Sequence, residues 1–371
     1  MAVSVGTRHG REVTLGRRAL TGALGDSITV LPIVVALAAL TSASLVHILV
    51  LFGLFQVVWG LWYGTPLSVE PMKALAGLAI AGALTYGELL AAGLLAGVVL
   101  LLVAGTGTLG RVQRVVGEPV VRGVQFAVAL LLGSAGLDLA LGGPWLALAG
   151  VGVAAVVTLG WSRRASALAV LACGTGAALW WHGVPALALP SLAAFPTAAP
   201  TLTTAAVEGA LAQLAMTVGN AAVATALLLE DLYEVDVSPD QLAESMGAMC
   251  LAAIPLGGLP MCHGSGGLAG KHAFGARTGG ANLVLGALYI AAALVAGLWL
   301  SFPMAVLGVL LGIVAVHMAR VALSGERPLL VLAVGALSLL TNVGVAFGAG
   351  LAYWVLRERW GFSPSLPSLR A

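Results

Sequence analysis

Two stretches crowded with proline and glycine hold most of the polar chemistry of this chain: "YGTPLSVEPMKALAG", from Tyr63, and "GGLPMCHGSGGLAGKHAFGARTGG", from Gly257. The first brings Ser68, Glu70, Met72 and Lys73 close together; the second sets His263, Gly264, Ser265 and Gly266 in a row. Pro71 suits the first position of a helix, having no N–H to lose, and Ser265 suits the N-cap of another. Where a helix starts, unpaired amides and the positive end of its dipole favour a bound anion, and glycines let those amides approach it. Lys73 falls in a first turn, where a cation is disfavoured unless an anion is near. Three roles are open to it: binding that anion, pairing with Glu70 or Asp26, or snorkelling. Asp26, Glu70 and His263 are the groups beside such a site that could exchange protons. Gln213, Thr217 and Asn220 recur at helical spacing, so their segment has one polar face, expected to line the same cavity.

Other chemistries are only imitated. A phosphate-binding loop needs Gly, four residues, then Gly-Lys-[Ser/Thr], whereas the register here reads Ser265, Gly270, Lys271 and His272. Gly264, Gly266 and Ala269 resemble a dinucleotide fingerprint, but no strand precedes them. Cys173, Cys250 and Cys262 lack CxxC spacing. The acidic run "LLLEDLYEVDVSPDQLAE" lacks the spacing of a calcium loop and reads as a solvated connection. A net charge of +2 gives no reason to expect nucleic acid. Neither a metal nor a cofactor is expected.

The elements that must position these residues belong to a membrane protein. Of the 371 residues, 60% are hydrophobic and 9% charged, against about 25% charged in a soluble domain. Apolar runs long enough to cross about 30 Å of hydrocarbon recur near residues 19–41, 45–63, 66–84, 87–105, 119–136, 145–160 and 165–184, and again near 205–230, 241–257, 261–274, 280–300, 303–322, 327–340 and 341–357. An all-α polytopic protein of about 14 segments is expected. Residues 1–18 and 358–371 form cytoplasmic tails, and 19–184 and 205–357 form two repeats. With the N-terminus inside, sixteen of the 17 basic residues, Lys271 and Arg277 among them, fall at cytoplasmic ends, leaving only Lys73 within a span. His47, His182 and His317 fall near segment ends.

Seven segments per half is odd, so two related halves run in opposite directions, the inverted repeat of many secondary transporters. Gly25-Asp26 in the first segment and Gly219-Asn220 in the eighth are 194 residues apart, as are Pro66 and Pro260 at the starts of the third and tenth. From Pro71 to about Leu84 a helix is only about 20 Å long, and the tenth segment is shorter. Each is expected to cross as extended chain followed by a half-helix, the two breaks meeting near mid-membrane, where irregular backbone needs protein or a water-filled cavity around it.

"GALGDSITVLPIVVAL", "PLSVEPMKALAGLAIA" and above all "PMCHGSGGLAGKHAFGART" resemble the molybdate transporter family, a relative of the sulfate permease superfamily. The resemblance implies the fold shared by sulfate and nucleobase permeases: a core domain from segments one to four and eight to eleven, and a gate domain from five to seven and twelve to fourteen. It implies a secondary transporter of a tetrahedral oxyanion, molybdate before sulfate, held between segments three and ten, with a homodimer as an associated expectation. Proton coupling through Asp26, Glu70 or His263, cytoplasmic termini and a plasma-membrane location are expected from the residues themselves. The family pattern has Gln where Glu70 stands, and its eighth-segment motif keeps Gln213, Thr217 and Asn220 here while losing a proline and a serine. Two other readings stay open on the residues alone. In a nucleobase permease of the same fold, Glu70 would hydrogen-bond a neutral base. In a membrane-embedded enzyme, His263 beside Cys262 would be the thin support.

Overall fold

The computed structural model describes residues 5–6, 12–160 and 163–360. Arg8, Arg11 and Arg370 of the predicted tails lie outside the described residues, as does everything beyond Trp360. The first half runs α1 (Arg17–Leu40), α2 (Leu45–Tyr63), α3 (Lys73–Ile80), α4 (Tyr86–Thr106), α5 (Leu109–Val116), α6 (Glu118–Leu141), α7 (Pro144–Gly160) and α8 (Arg163–His182). The second half runs α9 (Thr204–Met216), a π-helical stretch (Thr217–Val223), α10 (Ala224–Tyr233), α11 (Pro239–Ala253), α12 (Ser265–Ala273), α13 (Gly280–Leu294), α14 (Ala296–Leu300), α15 (Met304–Leu323), α16 (Pro328–Leu340) and α17 (Val343–Trp360). Every predicted segment has its helix. The additional element is α5, a short amphipathic helix with Arg111 and Arg114, too polar to show as an apolar run. Among the described residues, seven helical runs are long and apolar enough to cross a membrane, and four shorter apolar helices accompany them.

The packing has the symmetry of a repeat. Helix α2 lies along α13 and α11 along α4, while α1 lies along α12 and α9 along α3; exchanging the halves converts each pair into the other. Helix α6 lies along α15, its own counterpart. A second group forms around that last pair, where α16 packs on α6, α17 on α16, and α7 and α8 on each other and on α15.

The third and tenth segments are the short ones. Helix α3 has 8 residues and α12 has 9, about 12 to 14 Å at 1.5 Å per residue, so neither crosses the hydrocarbon as helix. The expected 20 Å for the third segment is too long, because the chain turns at Ala81 and Gly82, where φ is +73°. Pro71 is not the first helical residue either: it lies in the two-residue strand β3 (Glu70–Pro71), numbered after the N-terminal pair β1 (Val5–Gly6) and β2 (Glu12–Val13). Strand β3 pairs antiparallel with β4 (Met261–Cys262), Glu70 opposite Cys262 and Pro71 opposite Met261. The Met72 amide donates to the Pro260 carbonyl at 2.9 Å. Backbone that is not helical in an apolar layer must find its partners within the protein, and each broken segment here supplies the other's. Shifting by 194 residues carries the Glu70–Cys262 pair to Ser68–Gly264, in the same antiparallel register.

Candidate functional site

Behind the paired strands, α1 crosses α12 with almost no side chain between them. A Cβ at Gly25 would collide with the backbone of Gly270 and Lys271, and one at Gly22 with Ala276. That closeness delivers Asp26 to Lys271. The Lys271 ammonium lies 3.1 Å from Asp26 Oδ2 and donates to Gln56 Oε1 and Asn282 Oδ1, each at 2.9 Å, and to the Leu67 carbonyl at 3.3 Å. All four of these side chains are fully buried. Lys271, expected at a cytoplasmic helix end, is thus an interior residue. The charge-counting rule misplaced it because it sits only six residues before the surface residue Arg277.

From Asp26 the network continues to the unwound chain of the first half. The Ser68 hydroxyl donates to Asp26 Oδ1 at 2.7 Å and lies 3.2 Å from Glu70 Oε1. Glu70 pairs with Lys73, the second of the three roles open to that lysine. Lys73 is the first residue of α3 and its side chain is 20% exposed, whereas that of Glu70 is 1% exposed. The pairing relieves a cation placed at the unfavourable end of a helix dipole.

Each short helix is met at its start by a side chain from the opposite half. Gln213 Oε1, on α9, accepts from the Ala74 amide at 2.9 Å and the Leu75 amide at 3.4 Å, while its Nε2 donates to Thr217 Oγ1 at 2.9 Å. Gln213 and Thr217 are buried, and Thr217 opens the π-helical stretch, a local widening common at functional sites. Conversely, the Glu70 carboxylate stands against the first turn of α12. A Cβ on Gly264 would collide with that carboxylate, and one on Gly267 with Glu70, Ser68 and Asp26. Gly266 has open space where a Cβ would be. The N-cap of α12 is Gly264, and Ser265 is the first helical residue with no capping side chain at that end. Ser265 was expected to be the cap; no side chain caps this helix, and the Glu70 carboxylate lies beside Gly264 and Gly267.

Ser68, Glu70, Met72, Lys73, Gln213, Thr217, Gly264, Ser265 and Gly266 therefore gather around two helix starts. Met72 is buried as the N-cap of α3. The Asn220 side chain lies outside the described residues. His263 has a different part: it is fully buried, its Nδ1 donates to the Ser68 carbonyl at 2.9 Å, and Nε2 lies 2.7 Å from the Ser245 hydroxyl on α11. Trp59 and Tyr63 meet its ring edge-on at 6.0 and 6.3 Å. Both ring nitrogens are spent on joining the unwound chain to α11. Gln56, Asn282 and Ser245 went unnoticed in the sequence because a lone amide or hydroxyl in an apolar run carries no spacing signal. His317 lies six residues before the end of α15 and is exposed. One signal could have found Lys271: the chain has only two lysines, Lys73 and Lys271, against fifteen arginines.

A sequence profile described as a molybdate transporter of the MFS superfamily matches residues 18–132 and 205–318, two stretches of nearly equal length, one in each half. Molybdate transporter 2 of Arabidopsis thaliana is 28% identical over 91% of this chain and 86% of its own length. Among solved structures, the transmembrane domain of a cyanobacterium bicarbonate transporter, BicA, superposes with a TM-score of 0.65 at 16% identity, covering 90% of this chain and 97% of that one. Murine Slc26a9, an anion transporter in the inward-facing state, gives 0.67 at 14% identity over 91% and 68%. The fold is thus the seven-plus-seven inverted repeat of these neighbours rather than the paired six-segment halves of MFS transporters. The chain is a multi-pass membrane transporter and not an enzyme. With the family's pattern present in both halves, it belongs to the family described as molybdate transporters of the MFS superfamily.

Proposed function

We propose that this transporter moves a tetrahedral oxyanion, molybdate in preference to sulfate, and holds it between the N-termini of α3 and α12. The observation that carries this reading is the pair of helix starts brought together by the β3–β4 pairing, with Lys73 beside them. First-turn amides have no partner one turn back, and two such starts with a lysine make a concentrated anion receptor. Without substrate the receptor is filled from within, by the Glu70 carboxylate at α12 and the Gln213 carbonyl oxygen at α3. Glu70 then acts as a resident anion that the incoming one displaces.

We propose that the same contacts serve proton coupling. The single hydrogen of the Ser68 hydroxyl satisfies one of its two carboxylate neighbours, and the shorter contact gives it to Asp26. A proton on Glu70 lets Glu70 donate to Ser68 Oγ while Ser68 donates to Asp26, which completes the chain of bonds. It also removes the repulsion between Glu70 and an arriving dianion. Glu70 is our coupling residue, Asp26 is held by Lys271, and His263 is structural. Segments one to four with eight to eleven act as the core body, and segments five to seven with twelve to fourteen as the gate it moves against. The protein resides in the plasma membrane with both termini cytoplasmic, as a homodimer.

Uptake of radiolabelled molybdate into liposomes, with sulfate and tungstate as competitors, tests the reading. Lys73→Ala and Ser265→Ala are expected to lower uptake at fixed substrate, since one removes the charge and the other alters the first helical residue of α12. Uptake unaffected by both substitutions would remove the proposed site.

A further inference from the structure

The oxygens around Lys271 are arranged for more than an ion pair. Asp26 alone would neutralise the ammonium, yet Gln56 Oε1, Asn282 Oδ1 and the Leu67 carbonyl converge on it as well, at 2.9, 2.9 and 3.3 Å. An ammonium has three hydrogens, and here it faces four oxygens. One carboxylate, two amide oxygens and a main-chain carbonyl form a donor set that suits a hard cation taking ligands from several directions. The carbonyl comes from the unwound chain before α3, the kind of backbone that coordinates cations in transporters with broken helices. These ligands come from α1, α2, α13 and the unwound chain, so whatever fills the cage fixes the chain that leads into α3.

We propose that Asp26, Gln56, Asn282 and the Leu67 carbonyl form a monovalent-cation site permanently filled by the tethered ammonium of Lys271. The protein carries its own cation and needs none from solution to hold the unwound chain in place. Lysine suits this task because its head is a compact point charge with rotatable donors, unlike the planar fork of arginine. With 2.9 to 3.3 Å around the nitrogen, the cage is closer in size to ammonium or potassium than to sodium. Truncating Lys271 hands the site to such an ion.

Full-length wild-type protein and Lys271→Ala are compared in chloride solutions of N-methylglucamine, sodium, potassium and ammonium at equal ionic strength. Thermal midpoint and molybdate uptake are both read. The wild type is expected to give the same midpoint in all four. Lys271→Ala is expected to melt lower in N-methylglucamine and to recover its midpoint saturably with ammonium or potassium, as for any ligand that binds only the folded state, with uptake in potassium rising about tenfold or more. Asp26→Asn combined with Lys271→Ala lacks the carboxylate and should lose that response. A Lys271→Ala midpoint indifferent to the cation overturns the proposal, as does a variant that folds in none of the four solutions, or a wild type whose midpoint depends on sodium. The midpoint needs no substrate, so a failure to transport molybdate leaves this result readable on its own.

Discussion

Replacing Glu70 with glutamine keeps the shape and the acceptor facing Ser68 but removes the negative charge standing against Gly264 and Gly267. Glu70 and the nearer unit of the dianion's charge, about 4 Å apart, repel by about 4 kcal/mol at an effective dielectric of about 20. Lys73 is 20% exposed, so water reaches the edge of the site; halving the repulsion for that screening leaves about 2 kcal/mol, or about thirtyfold in affinity. Molybdate binding to purified protein, followed by titration calorimetry, is therefore expected to be about thirtyfold tighter in Glu70→Gln than in wild type in mildly alkaline buffer. In liposomes the variant should still exchange molybdate across the membrane but should not accumulate it when an imposed proton gradient is the driving force. Binding no tighter than wild type, or accumulation still driven by the gradient, would refute the role given to Glu70.

Gly267→Ala drives a Cβ into Glu70, Ser68 and Asp26, and is expected to cost about 1–3 kcal/mol as overpacking, seen as a lowered thermal midpoint; Gly266→Ala, within the same helix but facing open space, should raise that midpoint slightly, alanine being the better helix former. Gln213→Ala strips the acceptor from the Ala74 and Leu75 amides and should destabilise by about 1–3 kcal/mol, whereas Gln213→Glu, retaining an oxygen there, should cost less in the same melt. His263→Gln is expected to keep the pH profile of uptake even where its amount falls, because both ring nitrogens are occupied in bonding to Ser68 and Ser245; a displaced profile would reassign the coupling to His263.

Hydropathy placed all fourteen segments because the requirement is one of length and polarity alone. Proline and glycine located both interruptions, since those residues act on the backbone where they stand. Legibility failed where a partner comes from a distant segment. Ser265 looked like an N-cap because caps are read from neighbours in sequence, and nothing local reveals that Glu70 stands beside that helix start from the other unwound chain. Lys271 looked like a surface charge for the same reason: Asp26, Gln56 and Asn282 reach it from three separate helices. The π-helical turn at Thr217 adds a residue to one turn of a continuous helical run, and periodicity over so short a stretch cannot register it. Gln213 stood out for its spacing with Thr217, but its hydrogen bonds to the start of α3 required the other half of the molecule.

The pairing of β3 with β4 bears on how such a protein could have originated. Either half alone would carry an unpaired strand edge into the apolar layer, with each missing hydrogen bond a penalty that lipid cannot relieve. An ancestral half-length protein could persist only by inserting in both orientations and pairing head to tail with an inverted copy of itself. Duplication and fusion then fixed one orientation for each copy, after which the two edges could diverge. In this chain one edge carries a carboxylate and the other the glycines that make room for it.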